Sequence, residues 1–273
     1  MSIIACDTYY EDTPTLDEVK NEISGIVGLR EIKDQLAAIV EKIIAAEKDA
    51  ANGFRVVPPK PFHMVFLGNN GTGKSTVARI LGKLFYLAGV LSSYTVTEMQ
   101  GNRKIKDAEG GVLLVNIDDE EPVNSKTIEE IIDVMDKRES SVILAGSYKG
   151  LNQYIKFNHE LYGRFSARLQ FDDLNCEDLA IILQNKASHK GDHDLLCGFD
   201  LDASFGTVDI ARMIAHYTPA NLRSMMNAHV LDQMLIEAKK VASDRPGEKT
   251  ISLSDLRLGI QNGAQIYTKL LNL

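Results

Sequence analysis

The segment Gly68-Asn69-Asn70-Gly71-Thr72-Gly73-Lys74-Ser75 lies between an apolar run at residues 63–67 and an apolar helical pattern at residues 75–88. A glycine, four further residues and then Gly-Lys-Ser form the pattern of a phosphate-binding loop. The glycines allow the backbone to curl so that successive N–H groups converge on a β-phosphate, and the following helix directs its positive end at the same anion. The sequence therefore predicts a P-loop that binds ATP together with Mg²⁺.

Two side chains of this loop have defined chemical roles in the predicted site. Lys74 is expected to reach the β- and γ-phosphates, and Ser75 is expected to give its hydroxyl oxygen to Mg²⁺. The predicted nucleotide-binding set of the segment is Asn70, Gly71, Thr72, Gly73, Lys74, Ser75 and Thr76.

A P-loop also needs a carboxylate at the end of a neighbouring strand to hold Mg²⁺, and a second acid to polarise the attacking water. The candidate strand at residues 110–115 runs into Asn116-Ile117-Asp118-Asp119-Glu120-Glu121. If the strand is two residues longer than its apolar run, Asp118 is the metal ligand, and Asp119 and Glu120 serve catalysis. Alternatively, Asn116 occupies the position beside the metal. A third interpretation makes the acidic run a solvated loop.

The rest of the chain predicts an α/β fold with a second, helical part. Short apolar strands alternate with helices, which indicates a parallel sheet flanked by helices; the further strands are expected at residues 93–97, 111–115 and 142–145. Beyond Phe171-Asp172-Asp173 the helical pattern dominates, so we expect a boundary near residue 172. The predicted division is a loose leader at 1–20, a nucleotide-binding domain at 21–172 and a helical domain at 173–273.

Composition narrows the class of protein. The formal net charge is −8, with 30 basic and 38 acidic residues, and no basic stripe is present to neutralise phosphates, so a nucleic-acid partner is not expected. No apolar stretch approaches the ~18 residues that a membrane span needs, and the amino terminus lacks the basic flank of a secretory signal. The 3 cysteines are widely spaced and fit reduced thiols. We therefore expect an intracellular protein, most simply cytoplasmic.

With these residues identified, the chain resembles the AAA+ ATPases of the CbbX and stage V sporulation protein K type, a group that includes the red-type rubisco activase and the ATPases of type VII secretion. The resemblance covers about residues 20–240. It is closest from Phe66 through Leu87, including Thr76-Val77-Ala78-Arg79, and continues through Gly110-Gly111-Val112-Leu113 and Val142-Ile143-Leu144-Ala145-Gly146.

The resemblance implies an α/β nucleotide domain with a helical lid, and ATP bound between the subunits of an oligomer. It implies that Val27 and Gly28 form the adenine-side turn and that Ser147 stands in the sensor-1 position. It also places Arg164 as an arginine finger, which would act on a neighbour's γ-phosphate.

Four departures from the family pattern affect the expected chemistry. Asn70 replaces a proline of the loop, and without a gap the two Walker B acids become Asn116 and Ile117. The sensor-2 arginine position holds Ala220, with Arg223 one turn on. The interval 101–110, where the first pore loop would lie, is about ten residues shorter than in the family and offers one apolar side chain, Ile105.

Two functions of different class remain open at this point. One is an ATPase that couples hydrolysis to the remodelling or assembly of a protein partner, as a homo- or hetero-oligomer. The other is a catalytically impaired regulatory or scaffold subunit that binds nucleotide. Because the short 101–110 interval leaves little to grip a polypeptide, we expect no processive pulling by this chain alone.

Overall fold

The computed structural model describes residues 13–54, 62–100, 108, 110–117, 119, 125–157, 161, 163–190, 194–202, 204–245 and 249–272. Two helices precede the sheet: α1, Leu16–Gly25, and α2, Arg30–Ala51. The loose leader predicted for residues 1–20 is wrong for its last five residues, because α1 begins there. Thr15 and Glu18 form a capping box in which each side chain binds the other residue's backbone N–H, and this fixes the start of α1.

The expected parallel sheet is present. Its strands are β1, His63–Leu67; β2, Val96–Gln100; β3, Val112–Ile117; β4, Ser141–Gly146; and β5, Phe165–Gln170. They lie in the order β2-β3-β4-β1-β5, and all neighbouring pairs are parallel. The connecting helices are α3, Lys74–Leu87; α4, Ser125–Lys137; and α5, Tyr148–Phe157. The α/β architecture is therefore confirmed.

The bounds of two strands differ from prediction. β2 begins at Val96, three residues later than expected, because Val96 is the first residue to pair with β3, opposite Val112. β3 continues to Ile117 rather than ending at residue 115, since its last two residues still pair with Ala145 and Gly146 of β4.

Each face of the sheet packs against its own helices. Along β3, Val112 and Leu114 belong to the core formed with α1, α2 and α3, whereas Leu113, Val115 and Ile117 belong to the core formed with α4 and α5. Successive strand residues point to opposite faces. The alternation therefore assigns each residue at the carboxyl end of β3 to one face.

The part after residue 172 has a separate core. Its helices are α6, Cys176–Ser188; α7, Thr207–Tyr217; α8, Ala220–Met226; α9, His229–Ser243; and α10, Leu253–Leu270, with a two-stranded pair β6, Asp200–Leu201, and β7, Thr250–Ile251. We call this part the lid. The continuous helical apolar pattern of residues 222–241 forms two helices rather than one, because Asn227 has a left-handed φ of 44°. Within the described part of the chain, no helix has the length and apolar character to cross a bilayer.

Candidate nucleotide-binding site

The P-loop joins the carboxyl end of β1 to the start of α3. Gly73 precedes α3 with a φ of 97°, a left-handed conformation that side chains rarely adopt. Gly71 has a φ of 72°, and a Cβ there would overlap the carbonyl oxygen of Met226 and lie 3.0 Å from the His229 nitrogen. The loop thus needs glycine both for its own curl and for its close contact with the lid.

Lys74 is buried in this loop, with 8% of its surface exposed. Its Nζ donates hydrogen bonds to the carbonyl oxygens of Gly68, at 2.9 Å, and Asn69, at 2.6 Å. Burial lowers the pKa of Lys74 to about 8. The hydroxyl of Thr72 donates to the same Asn69 oxygen at 2.8 Å, which helps to fix the loop. A phosphate would give the ammonium group a charged partner in place of neutral carbonyls.

Ser75 lies at the start of α3, where its hydroxyl is 3.5 Å from Oε2 of Glu98 on β2. The other oxygen of that carboxylate accepts a hydrogen bond of 2.5 Å from Arg79. Serine hydroxyl and carboxylate oxygens are hard donors of the kind that Mg²⁺ prefers, so this pair fits the metal predicted for the loop. Thr76, by contrast, is exposed and lines a cleft of about 480 Å³ between α1, α3 and β2.

The carboxyl end of β3 bears on the two predicted alternatives, or registers, for the acids of the site. In one, Asp118, Asp119 and Glu120 serve; in the other, which has no gap, Asn116 and Ile117 take their positions. Asn116 alternates with Val112 and Leu114, so it lies on the α3 face at the carboxyl end of β3; Ile117 packs on the opposite face. The strand is nevertheless two residues longer than its apolar run, as the alternative with Asp118 requires. Asp118 and Glu120 lie outside the described residues.

Asp119 is bonded to the segment after β4. Its Oδ1 accepts a hydrogen bond from the Ser147 hydroxyl and another, of 3.0 Å, from the backbone N–H of Gly150. Asp119 and Ser147 were predicted separately, and the fold brings them together at the carboxyl edge of the sheet. The carboxylate of Asp119 therefore fixes the start of α5, and it lies at the carboxyl edge of the sheet, the edge from which the P-loop also starts.

A polar cluster between the loop and the lid was not predicted. Asn227 is fully buried and donates to the Asn70 oxygen at 3.1 Å, to Oδ1 of Asp173 at 3.0 Å and to the Ser224 oxygen at 2.8 Å. Asn69 also donates to Oδ1 of Asp173, at 3.0 Å, and to the Ser224 hydroxyl, at 3.2 Å. We call Asn69, Asp173, Ser224 and Asn227 the lid clasp. No local sequence pattern indicates it, since Asn69 and Ser224 are 155 positions apart in the chain.

Arg223 and Gly28, both expected at the nucleotide, have other neighbours. Arg223 donates to the carbonyl oxygens of Thr218 and, at 3.3 Å, of Ala215, so its guanidinium group caps the end of α7. A contact between Arg223 and nucleotide would require those bonds to be released, and the role stays a prediction. Val27 and Gly28 are half-buried, and a Cβ on Gly28 would lie 3.1 Å from Oδ2 of Asp178 on α6.

Arg164 lies immediately before β5, at the amino edge of the sheet. Phe165 pairs with His63, whereas the P-loop follows Leu67, so the full length of β1 separates Arg164 from the loop. Five strand residues span about 16 Å. Arg164 is therefore too far away to act on the nucleotide of its own chain. Its guanidinium group forms an ion pair with Asp136 at the end of α4.

Comparison with solved structures identifies this arrangement. A single-substitution mutant of RuvB from Thermotoga maritima superposes with a TM-score of 0.51 at 14% identity, over 92% of this chain and 72% of that one. The chain has the AAA+ P-loop ATPase fold. At 14% identity the likeness concerns the fold alone.

Curated relatives of the AAA+ type confirm the resemblance found in the sequence. Stage V sporulation protein K of Bacillus subtilis is 30% identical over 60% of this chain and 58% of its own length. Protein CbxX of Cupriavidus necator is 28% identical over 85% of this chain and 80% of its own. The ESX-1 secretion system protein EccA1 of Mycobacterium leprae is 25% identical, and the match spans 39% of its length. The chain thus spans little more than half of one AAA+ relative and well under half of another.

A family model described as "Domain of unknown function (DUF8495)" matches residues 173–264. This match lies within the part after residue 172 and begins at Asp173, a member of the lid clasp. The interval expected to hold the first pore loop, including Ile105, lies mostly outside the described residues.

Proposed function

We propose that this chain binds Mg-ATP at its P-loop and hydrolyses it slowly, and that the nucleotide state sets the assembly or shape of a protein partner. The observation that carries the proposal is the buried Lys74 ammonium group at the mouth of the loop, beside the hydroxyl of Ser75. A buried cation whose partners among the described residues are neutral carbonyl oxygens favours an anion. The AAA+ relatives support ATP as that anion.

The proposal includes the division of the chain near residue 172. The sheet and its helices share two cores, and the residues after 172 form a third. The start of the family-model match at residue 173 supports the same boundary. We infer that 21–172 is the nucleotide-binding domain and 173–273 the lid.

It also includes an oligomer in which Arg164 acts on a neighbour's ATP. The distance between Arg164 and its own loop supports this role, since a finger that cannot reach the nucleotide of its own chain can act only in another subunit's site. The partner protein is proposed by class only, as a protein whose assembly the nucleotide controls.

A second candidate is a regulatory subunit that binds ATP without turning it over. Asn116 favours it, because an amide at the carboxyl end of β3 supplies no negative charge, and so does Asp119, whose Oδ1 is already bonded to Ser147 and Gly150. Both candidates share ATP binding and differ in hydrolysis.

Lys74→Ala, with Lys83→Ala as the matched control, tests the proposal. Lys83 is on the same helix but pairs with Glu22 at 2.5 Å, away from the loop. Titration calorimetry should show that Lys74→Ala weakens Mg-ATP binding by about 2–4 kcal/mol, as the loss of a charge-assisted contact predicts. The control should bind like the wild type.

Steady-state phosphate release then separates the two candidates. Slow release by the wild type that disappears in Lys74→Ala supports the ATPase. ATP binding without release, alone and with assembly partners, supports the regulatory subunit. Wild-type affinity in Lys74→Ala would refute the P-loop assignment itself.

A further inference from the structure

Glu98 occupies a position beside the loop that no expectation from the sequence assigned. It lies on β2 opposite Leu114, one pleat before the pair Gln100 and Asn116. Val96 packs in the core on the α3 face and Met99 in the core on the other face. Glu98 therefore points to the α3 face, where it meets Ser75 and Arg79.

The distance between the Glu98 and Ser75 oxygens suits a shared metal. Two oxygens in adjacent positions of an octahedral Mg²⁺ lie about 3 Å apart, because each is about 2.1 Å from the metal. Oε2 of Glu98 is 3.5 Å from the Ser75 hydroxyl oxygen, which is long for a hydrogen bond and close to that separation. A small movement of one side chain would bring both oxygens to one ion.

The acid required at this place is not supplied by the described end of β3. Asn116 reaches the correct face but carries no charge. Asp119 bonds through Oδ1 to Ser147 and Gly150. Glu98 brings a full negative charge to the same face from the next strand.

We propose that Glu98 serves as the acid for the Mg²⁺ of the bound nucleotide, in place of the usual acid at the end of β3. Arg79 balances the charge of Glu98 while the metal is absent. The side chain of Arg79 is 58% exposed, so it can move into solvent when Mg²⁺ arrives, and exposed ion pairs of this kind are weak. The inference rests on the proposed binding of Mg-ATP and adds to it the identity of the acidic residue.

The test measures ATP affinity by calorimetry in excess Mg²⁺ and in EDTA, for the wild type and for Glu98→Gln. The Mg²⁺ enhancement, the ratio of the two affinities, should fall at least about tenfold in Glu98→Gln, because a neutral amide holds the cation poorly. Affinity in EDTA should stay level or rise, since a negative charge near the phosphates has been removed. Glu98→Asp, which keeps the charge, should retain part of the enhancement.

Two further variants serve as controls for Glu98→Gln, and a third tests the effect of Arg79, the cation that competes with Mg²⁺ for Glu98. Glu22→Gln also removes an acid that pairs with a cation of α3, Lys83, and should leave the enhancement unchanged. Glu98→Gln combined with Asn116→Asp should recover it, because the new acid would lie on the same face. Arg79→Gln should preserve or increase it, since the competing cation has been removed.

The possible outcomes separate this inference from the proposed function. An unchanged Mg²⁺ enhancement in Glu98→Gln, with wild-type affinity under both conditions, overturns the inference and leaves ATP binding intact. An equal loss of affinity with Mg²⁺ and with EDTA, in both Glu98→Gln and Arg79→Gln, also overturns it, because the ion pair would then be structural. Failure of the wild type to bind ATP under either condition refutes the proposed function instead.

Discussion

The ammonium group of Lys74 sets the pH dependence that we expect for the stability of the nucleotide-free fold and for ATP binding. Burial lowers its pKa from an ordinary 10.5 to about 8, so the folded, nucleotide-free chain releases this proton more easily than the unfolded chain. Between pH 8 and 10.5 the unfolded chain binds more protons at this position. Lys74 therefore destabilises the empty fold at neutral pH, and this penalty decreases as the pH rises through that window.

ATP binding should show the opposite pH dependence. A phosphate favours the charged lysine, so the complex takes up a proton whenever the free loop is neutral. Below a pH of about 8 the affinity should be nearly constant, and above it the affinity should fall by up to about tenfold per pH unit. Calorimetry in two buffers of different ionisation enthalpy, at pH values of about 7, 8 and 9, measures both the affinity and the proton uptake. A flat affinity across this range, or equal uptake at its two ends, would contradict the assignment.

The acids at the end of β3 give a second prediction for single residues. Asp119→Asn keeps an oxygen that can accept from Ser147 and Gly150 but loses the charge, so it should preserve the fold and lower hydrolysis if Asp119 acts on water. Asn116→Asp with Ile117→Glu should raise hydrolysis if the register without a gap is correct. Single-turnover phosphate release compares these variants with the wild type, and thermal melting shows whether each variant keeps the fold. If the wild type hydrolyses ATP at a measurable rate and every one of these variants has the same rate, both registers are excluded.

Helices and strands were predicted to different degrees, and particular residues show why. β1 and α3 were found almost to the residue, since an apolar strand, glycines and an amphipathic helix follow one another in sequence. The loose leader was extended over residues 16–20 although Thr15 and Glu18 carry a capping box, which is a local signal for the start of α1. Glu98 was missed because β2 was expected to end at Thr97, which left the acid outside the sheet. The lid clasp could not be found, since its residues meet only after folding.

The break between α8 and α9 gives a prediction about an element. Asn227 combines a φ of 44° with four side-chain hydrogen bonds, one of them accepted from the Leu174 N–H at 2.8 Å. Asn227→Ala should lower the free energy of unfolding by about 2–4 kcal/mol, because buried partners lose their bonds. Asn227→Gly should cost about 1 kcal/mol less, since glycine tolerates the left-handed backbone. Urea unfolding of the nucleotide-free chain ranks the two, and equal losses would contradict a strained backbone at Asn227.

The pKa of Asp173 offers an independent check on the lid clasp. Burial raises the pKa of Asp173, but hydrogen bonds from Ser224, Asn227 and Asn69 together lower it by more than burial raises it. The net pKa is therefore below the ordinary 3.8. The stability contributed by Asp173 is present above pH 3.8 and is lost as the pH falls through the depressed value. Acid unfolding of Asn227→Ala should show a smaller loss in that window than the wild type, because one of the bonds that depress the pKa is gone.

At the scale of the whole molecule, Arg164 distinguishes a monomer from an assembly. Arg164→Ala should leave Mg-ATP affinity within about threefold of the wild type, because the side chain is far from its own loop, and should lower assembly-dependent hydrolysis by about 10³-fold or more. Rates measured across a range of protein concentrations, with sedimentation at the same concentrations, test this. Asp136→Ala is the matched control, since it removes the ion-pair partner but keeps the guanidinium group. A chain that stays monomeric with and without ATP, and shows no effect of Arg164→Ala, would exclude the finger.

The lid clasp also limits how this protein can be recombined with its relatives. Asn227 and Ala228 bond the carbonyl oxygens of Asn70 and Gly71, so the loop and the lid recognise each other through backbone as well as side chains. A hybrid with residues 173–273 taken from another protein would contain the loop without the partners that fit it. Transplanting the lid should therefore succeed only when Asn69, whose side chain bonds Asp173 and Ser224, is exchanged with it, so that these distant segments must be inherited together.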